Sequence, residues 1–256
     1  MFPQERRNRI IEILKENKSL SVRELCNQLE ASEATIRRDL TWLEERGMLQ
    51  RTHGGAVIGE EKSITEELSF YQKETEKQEE KIRIAKYAYE SLKPNDTLFL
   101  DAGTTTLEMA KLIGESNIPL VVITNSVMAS QYIARNESVK LYTLGGEMRT
   151  RTLATVGEIT LNNIAQFNTK KAFLGTNGIS IEKGLTTPDK TEAEIKKALM
   201  KQAAEVIILA DHSNFQQVTL CKFGSISMVD FIITDMGLPN HVVEAFSQYD
   251  IQLVKV

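Results

Sequence analysis

From residue 96 onwards, short apolar runs alternate with stretches of helical periodicity, and this alternation restricts the fold more than any other feature of the chain. The apolar runs lie at 97–101, 120–124, 139–144, 171–175, 206–211, 231–235 and 251–256. The helical patterns lie near 104–114, 126–135, 155–166, 190–204 and 239–248. Continuous apolar strands separated by helices are typical of a mostly parallel sheet that helices cover on both faces. We therefore predict an α/β domain built on such a sheet.

Polar residues and glycines collect where the predicted strands end, and ligands of open parallel sheets bind at that edge. The first strand passes through Gly103 and three threonines into a helix, which suits a phosphate because N–H groups at a helix start point at the anion. Thr and Gly are also ordinary helix caps, so this signal alone is not specific. Several such loops on one edge favour a sugar-phosphate pocket. The candidate effector-binding residues are Asp101, Gly103, Thr104, Thr105, Thr106, Thr124, Asn125, Gly145, Gly146, Arg149, Gly175, Asn177, Gly178, Asp189, Glu192 and Lys196.

Some of these residues have a simpler interpretation. Glu192 and Lys196 lie one helical turn apart, so they could form no more than an i,i+4 ion pair on the surface. His212 and His241 are isolated in the sequence. The chain has no metal-ligand spacing, nucleophile elbow or P-loop, so we expect no metal, no cofactor and no catalytic residue.

Three short helical patterns and a hairpin pattern precede the α/β domain. The sequence S-V-R-E at 21–24 forms a capping box at the start of the second helix, and Ser32 is a good N-cap for the third. On a helical wheel, the apolar residues of the third helix share one narrow face that we expect to point into a core: Ile36, Leu40 and Leu43. Strand patterns follow at 48–52 and 56–57, joined by a Gly-Gly turn. This order predicts a winged helix-turn-helix.

The opposite face of the third helix is small, hydroxylated and cationic, and it fits a major groove about 12 Å wide. An Arg-Arg pair alone is usually a solvated face, and a Gly-Gly alone is usually a turn. Their joint order, two capped helices and then a wing, favours DNA binding. The candidate DNA-binding residues are Ser32, Ala34, Thr35, Arg37, Arg38, Thr41, Arg51 and His53.

Composition limits where and how such a chain acts. The net charge of −4 argues against indiscriminate coating of nucleic acid, although one small face can still bind DNA. Two distant cysteines, no apolar run near 18 residues and no secretory signal indicate a cytoplasmic protein.

Residues 58–80 are rich in Glu and Lys, which indicates a connector, with an exposed helix at 66–80 as the alternative. We predict domains at 1–57 and 81–256.

Both domains resemble the DeoR/GlpR family of bacterial regulators. In the first, S-x-x-T-I-R-R-D-L followed by R-x-H-G-G-A resembles the DNA-binding signature of the family. In the second, the resemblance covers D-x-G-T-T at 101–105, T-N at 124–125, L-G-G-E-x-R at 144–149, L-G-x-x-G-I at 174–179, E-x-x-x-K at 192–196, D-H-S-x-F at 211–215 and G-S-I-S-M-V-D at 224–230. It implies a fold similar to ribose-5-phosphate isomerase and a phosphorylated sugar as effector. Asn214 stands where many members have Lys.

Three functions remain open on the sequence alone. The first is a repressor of sugar-metabolism genes that a sugar phosphate releases from a double-stranded operator. The second is a sugar-phosphate isomerase with a DNA-binding appendage. Isomerisation needs a carboxylate base, and the isomerases that the second domain resembles keep acidic residues after the glycine loop, where this chain has Ile179-Ser180. Asp101, Asp189 or Glu192 could supply the base instead. The third is an architectural DNA-binding protein with a vestigial pocket. Winged-helix regulators usually bind two-fold operators, so we expect a homodimer or homotetramer.

Overall fold

The computed structural model describes residues 2–17, 19–44, 49–52, 54–57 and 68–256. The chain divides into two compact units, Met1–Ser63 and Ile64–Val256. His53, Gly47 and the stretch 58–67, which carry parts of the predicted wing, helix end and connector, lie outside the described residues.

The first unit contains helices and strands in the order predicted from its sequence. They are α1 (Pro3–Asn17), β1 (Ser19–Ser21), α2 (Val22–Leu29), α3 (Glu33–Glu44), β2 (Gln50–Thr52) and β3 (Gly55–Val57). The capping box is confirmed, since the Ser21 hydroxyl accepts from the Glu24 N–H and the Glu24 carboxylate accepts from the Ser21 N–H. The three apolar residues of α3 are at most 1% exposed, which confirms the predicted core face.

The hairpin after α3 joins the first unit as a three-stranded antiparallel sheet of order β1-β3-β2. Glycine is required at Gly55, because a Cβ there would lie 2.0 Å from the Leu20 carbonyl oxygen of β1. The backbone of the wing therefore packs directly against the strand that precedes α2. This contact places β2 beside α3.

The second unit alternates strands and helices. Its elements are α4 (Phe70–Thr75), α5 (Gln78–Glu90), β4 (Thr97–Leu100), α6 (Thr104–Gly114), β5 (Leu120–Thr124), α7 (Val127–Ile133), β6 (Val139–Thr143), β7 (Glu147–Arg149), β8 (Ala154–Val156), α8 (Glu158–Ile164), β9 (Thr169–Gly175), β10 (Gly178–Ser180), β11 (Gly184–Thr187), α9 (Lys190–Lys201), β12 (Ala203–Leu209), β13 (Cys221–Gly224), β14 (Phe231–Thr234), α10 (Asn240–Phe246) and β15 (Gln252–Lys255). Each of the seven apolar runs forms one strand of a parallel sheet, so the predicted fold class is confirmed.

The strand order across the sheet is β15-β14-β12-β9-β4-β5-β6. Successive residues of each strand point to opposite faces, so Leu98 and Leu100 pack in one apolar layer and Phe99 packs in the other. The chain builds outward from β4 in one direction and then from β9 in the other. The point where the strand order reverses therefore lies between β4 and β9, and ligands of open α/β sheets bind at such a point.

Three local features differ from the sequence prediction. The predicted helix at 155–166 starts only at Glu158, because the preceding residues form β8 and pair with β7 as a hairpin. A small antiparallel sheet, β10-β11-β13, lies outside the predicted strands. Residue 70, inside the segment 58–80 expected to be a connector, starts α4, and its Phe70 side chain is 3% exposed in the core of the second unit.

Within the described residues, no helix has both the length and the apolar character that crossing a bilayer requires.

Candidate functional site

Asp101 and Gly175 meet where the strand order reverses, at the ends of β4 and β9. The Gly175 N–H donates to the Asp101 carboxylate at 3.1 Å. The ammonium of Lys196, on α9, donates to the same carboxylate and also to the Gly175 carbonyl oxygen at 2.9 Å. The side chains of Lys196 and Asp101 are 7% and 3% exposed, so the ion pair is buried. A cationic helix residue thus joins the two central strands at their carboxyl ends.

The helix that follows Asp101 starts with Gly103 as its N-cap residue and has no side-chain cap. Thr106 stabilises the loop between β4 and α6. Its hydroxyl donates to the Asp101 carbonyl oxygen at 2.7 Å and accepts from the Gly103 N–H at 2.9 Å. Thr104 is half-buried and Thr105 is 7% exposed. The first turn of α6 therefore presents N–H groups and two threonines, an arrangement that favours an anion.

Glu192 is the centre of a second polar cluster. Arg149, at the end of β7, donates to Glu192 at 3.2 Å and lies 3.4 Å from the Asp189 carboxylate. The hydroxyls of Thr152 and Thr187 also donate to Glu192. Glu192 is 9% and Lys196 is 6% exposed, and they pair with different partners. The interpretation of these two residues as a surface ion pair is therefore wrong.

Asp189 caps the start of α9, because its carboxylate accepts from the Glu192 N–H at 3.0 Å. Burial acts to raise the pKa of Asp189. Hydrogen bonds from the Thr191 hydroxyl and from the Glu192 backbone, together with the charge of Arg149, outweigh burial and lower this pKa below its ordinary value. The carboxylate therefore stays charged and holds Arg149 in place.

The two clusters line one cleft, together with the end of β5. The cleft is small and partly open to solvent, and its lining residues are Asp101, Ala102, Asn125, Ala154, Glu192, Ile195 and Lys196. Four of the sixteen predicted effector-binding residues are in this lining, and Arg149 and Asp189, which are outside it, contact Glu192. Asn177 accepts from Thr187, which bonds to Glu192.

Other predicted residues of the site have structural roles. Thr124 is fully buried, and its hydroxyl donates to the Leu100 carbonyl oxygen at 2.6 Å. Gly146 has a φ of +150°, and a Cβ there would lie 2.0 Å from the Thr160 hydroxyl. A Cβ at Gly178 would lie 2.5 Å from the Gln217 carbonyl oxygen. These residues, with the exposed Gly145, shape the loops and are outside the cleft lining.

Five residues in the cleft lining or bonded to it are not singled out by the sequence. Thr152 and Thr187 bond to Glu192, and Ala102, Ala154 and Ile195 form apolar parts of the wall. Hydroxyl and small apolar residues are common in loops and helices. No spacing in the chain separates these five from the many others.

A further polar group lies after β12 and β14. The His212 ring bonds to Asp235 at 2.8 Å, and this hydrogen bond raises the pKa of His212. Burial acts to raise the pKa of Asp235, but hydrogen bonds from the His212 ring and from the His212 and Gly237 backbone lower it to about 2. Asp211 lies close enough for all three to offer atoms to one cation, yet the Asp235 oxygens are already bonded. Asn214 lies in the adjoining turn, outside the cleft lining.

In the first unit, α3 presents the predicted DNA-binding residues at its start and along one side. The Ser32 hydroxyl accepts from the Thr35 N–H at 3.3 Å, which confirms the N-cap interaction. Ala34 and Arg38 are exposed, and Arg38 has no side-chain partner among the described residues. Arg37 is exposed and pairs with Glu33 one turn before it, with N–O distances of 2.5 and 2.9 Å.

The wing is tied to the same side of α3. The Arg51 guanidinium donates to the Thr41 hydroxyl at 2.8 Å, and the Arg51 N–H donates to the Glu44 carboxylate at 3.0 Å. Arg51 is exposed, so its cation stays on the surface that carries Arg38. Helix and wing therefore present one cationic surface.

The back of α3 is anchored by a buried carboxylate that the sequence does not single out. Asp39 is 1% exposed and accepts from Arg6 at 2.5 Å and from Arg7 at 2.8 Å, both on α1. The Arg7 guanidinium also lies 4.1 Å from the centroid of the Trp42 ring. Two of the cations of the first unit are thus engaged in fixing α3 on α1.

Comparison with known proteins finds similar domains and relatives for both units. Residues 6–62 match the DeoR-like helix-turn-helix domain, and residues 76–236 match the DeoR C terminal sensor domain. The chain is 40% identical to FruR of Bacillus subtilis, described as an uncharacterized HTH-type transcriptional regulator, over 92% of each chain. It is 34% identical to the glycerol-3-phosphate regulon repressor of Escherichia coli, over 97% of each chain. Ribose 5-phosphate isomerase A from Methanocaldococcus jannaschii aligns over 54% of each chain, with 19% identity and a TM-score of 0.40.

The matched domains and relatives are those of DNA-binding transcriptional regulators and not of enzymes, so the interpretation of the chain as an isomerase with a DNA-binding appendage is wrong. The identity to the two relatives extends over nearly the whole chain and includes both units. The chain therefore belongs to the DeoR family of transcriptional regulators and carries both the helix-turn-helix domain and the sensor domain of that family.

Proposed function

We propose that the protein is a repressor of genes of sugar metabolism, and that a phosphorylated sugar bound in the cleft releases it from its operator. The observation that carries this proposal is the cleft at the reversal of strand order, where an uncapped helix start and a buried set of charged side chains lie side by side. The relatives named as repressors of glycerol-3-phosphate and aga genes support the class of effector.

The operator binds on the exposed side of α3 and on the wing. The residues that contact it are Ser32, Ala34, Thr35, Arg37, Arg38, Thr41, Arg51 and His53. Arg38 supports this assignment, because its side chain is exposed and has no partner among the described residues. An exposed guanidinium of this kind can bond to guanine or to a phosphate without first breaking an ion pair.

The effector binds with its phosphate at the start of α6, beside Thr104 and Thr105. Its carbon chain enters the cleft toward Asp101, Asn125 and Glu192. The helix start suits a phosphate through its N–H groups and its dipole. To act as an inducer, the sugar phosphate binds the state that does not hold DNA more tightly than the state that does.

The assembly follows from the operator. A two-fold operator requires two copies of α3, so the protein acts as a homodimer or homotetramer in the cytoplasm. Within each copy, residues 1–57 bind DNA and residues 81–256 bind the effector. Residues 58–80 link the two in sequence, and α4 within them packs in the second unit.

One experiment tests both halves of the proposal. Duplexes are first selected from a random pool by the purified full-length protein, and the recovered sequence is labelled for fluorescence anisotropy. Ribose 5-phosphate, glucose 6-phosphate, fructose 1-phosphate, fructose 6-phosphate and glycerol 3-phosphate are then titrated into the complex. At least one compound is expected to lower operator affinity by about tenfold or more, a coupling typical of effectors. Unchanged affinity with every compound would sink the proposal.

A further inference from the structure

Asn125 carries a buried hydrogen-bond acceptor that has no partner. The residue is 3% exposed, and its side-chain oxygen Oδ1 accepts no hydrogen bond from any described residue. Buried polar atoms are nearly always paired, because leaving one unpaired costs free energy. Asn125 also lines the cleft, together with Asp101 and Glu192. An unsatisfied acceptor in the wall of a binding cleft points to a donor that comes with the ligand.

The orientation of this amide is fixed by its other atoms. The Nδ2 group of Asn125 donates to the Thr155 carbonyl oxygen at 3.2 Å. The backbone carbonyl oxygen of Asn125 accepts from the Thr155 N–H at 2.8 Å and from its hydroxyl at 3.3 Å. These three bonds hold Asn125 on β8 and leave Oδ1 as a side-chain acceptor without a partner among the described residues.

The residues around Asn125 limit which kind of ligand group can donate a hydrogen bond to its Oδ1 atom. Asp101 and Glu192 are hydrogen-bond acceptors whose charges are already paired with Lys196 and Arg149, so they offer no donor to an anion. The cation of Lys196 is already bonded to Asp101 and to the Gly175 carbonyl oxygen. A phosphate is therefore unfavourable at this end of the cleft. A hydroxyl group carries no charge and donates one hydrogen bond, which suits Oδ1.

We propose that Asn125 Oδ1 accepts a hydrogen bond from one hydroxyl group of the effector and that this bond is how the cleft selects a hydroxylated sugar phosphate over its deoxy analogue. The inference rests on the proposed function, because it states where one end of the proposed effector binds. It divides the cleft into a hydroxyl-binding end at Asn125 and a phosphate-binding end at α6. Sites that bond to a hydroxyl reject an analogue without it, because their own polar atom is then left unpaired.

The test uses isothermal titration calorimetry on the full-length protein. The five phosphorylated compounds named above are measured first, and the one that binds most tightly is then compared with each of its monodeoxy analogues. We expect loss of one particular hydroxyl to weaken binding by about tenfold or more. This comparison uses the unmodified protein, so it does not depend on the folding of a variant.

Two variants assign the effect to Asn125. In Asn125→Leu, the parent compound is expected to bind more weakly, and the ratio between parent and deoxy analogue is expected to fall to about one. Asn162→Leu, at an exposed position of α8, is the matched control and keeps the ratio of the unmodified protein. Equal binding of all monodeoxy analogues, or an unchanged ratio in Asn125→Leu, overturns the inference alone. Failure of all five compounds to bind removes the proposed effector class and this inference with it.

Discussion

Lys196 and Asp101 form a buried ion pair across 95 residues of sequence, at the place where the strand order of the sheet reverses. Because the Lys196 ammonium also bonds to Gly175, a single side chain closes the junction between β4 and β9. The pair is thus part of the cleft wall and part of the framework that positions the wall.

We expect Lys196→Met to destabilise the second unit by about 3–5 kcal/mol, because removing one partner leaves the buried Asp101 carboxylate uncompensated. The measurement is the free energy of unfolding from urea denaturation. Lys197→Met, at the exposed neighbouring position, is the control and should change this free energy by less than about 0.5 kcal/mol. A small effect in both variants would show that the pair adds little to the fold.

Arg38→Ala is expected to weaken operator binding by about 1–3 kcal/mol, since it removes an exposed guanidinium that has no partner among the described residues. Arg37→Ala should also weaken it, although Arg37 first has to leave Glu33. Affinity is measured by anisotropy at fixed salt, because phosphate contacts depend on ionic strength. Arg135→Ala, exposed in the second unit, is the control. If both α3 variants kept full affinity, the placement of α3 in the groove would be wrong.

Asp39→Ala is expected to cost about 1–3 kcal/mol of stability in the first unit, because Arg6 and Arg7 lose their shared carboxylate. The two arginine side chains are 13% and 17% exposed, so each can still reach water, and this keeps the cost moderate. The measurement is thermal unfolding followed by the fluorescence of Trp42, which contacts Arg7. Glu33→Ala, on the exposed side of the same helix, should leave the midpoint nearly unchanged.

The ion pair of His212 and Asp235 predicts a dependence of stability on pH. The pKa of His212 is raised above 6.5, so its contribution is complete below pH 6.5 and is lost as pH rises through the folded pKa. The pKa of Asp235 is lowered from 3.8 to about 2, so its contribution is complete above pH 3.8 and is lost as pH falls through about 2. The pair therefore stabilises fully between about pH 4 and pH 6.5.

Urea denaturation of the unmodified protein and of His212→Gln at pH 6 and pH 9 measures this effect. Between pH 6 and pH 9, the free energy of unfolding should fall more in the unmodified protein than in His212→Gln. The difference between the two proteins should be less than about 1 kcal/mol, because the His212 side chain is 28% exposed. The same pH dependence in both proteins would contradict the assignment.

Local patterns made much of the fold predictable. The capping box at Ser21, the apolar face of α3 and the seven apolar runs each depend on residues close together in sequence, and the structure confirms them. The parallel arrangement was predictable because a helix between two strands supplies the crossover connection that parallel pairing needs. The hairpin of β7 and β8 was missed because its three-residue strands carry too little apolar alternation to distinguish them from a loop.

The cleft was predictable only in part. Asp101, Asn125, Glu192 and Lys196 lie at strand ends or a helix start, so topology alone places them near one edge. Which of them pair could not be predicted, since Lys196 has Glu192 one turn away and yet bonds to Asp101. The same holds for Asp39 and its two arginines, which are 32 and 33 residues away. Such pairings depend on how distant parts of the chain pack together, and the periodicity of the sequence does not predict them.

The bond between Lys196 and Asp101 has a consequence for the newly made chain. Synthesis proceeds at about 5–20 residues per second, so Asp101 leaves the ribosome roughly 5–20 s before its cation does. Residues 1–57 precede both and form their own core. All residues of the first unit's core are therefore synthesised before the two partners of this ion pair can meet, so the helix-turn-helix domain is able to fold before the wall of the cleft is complete.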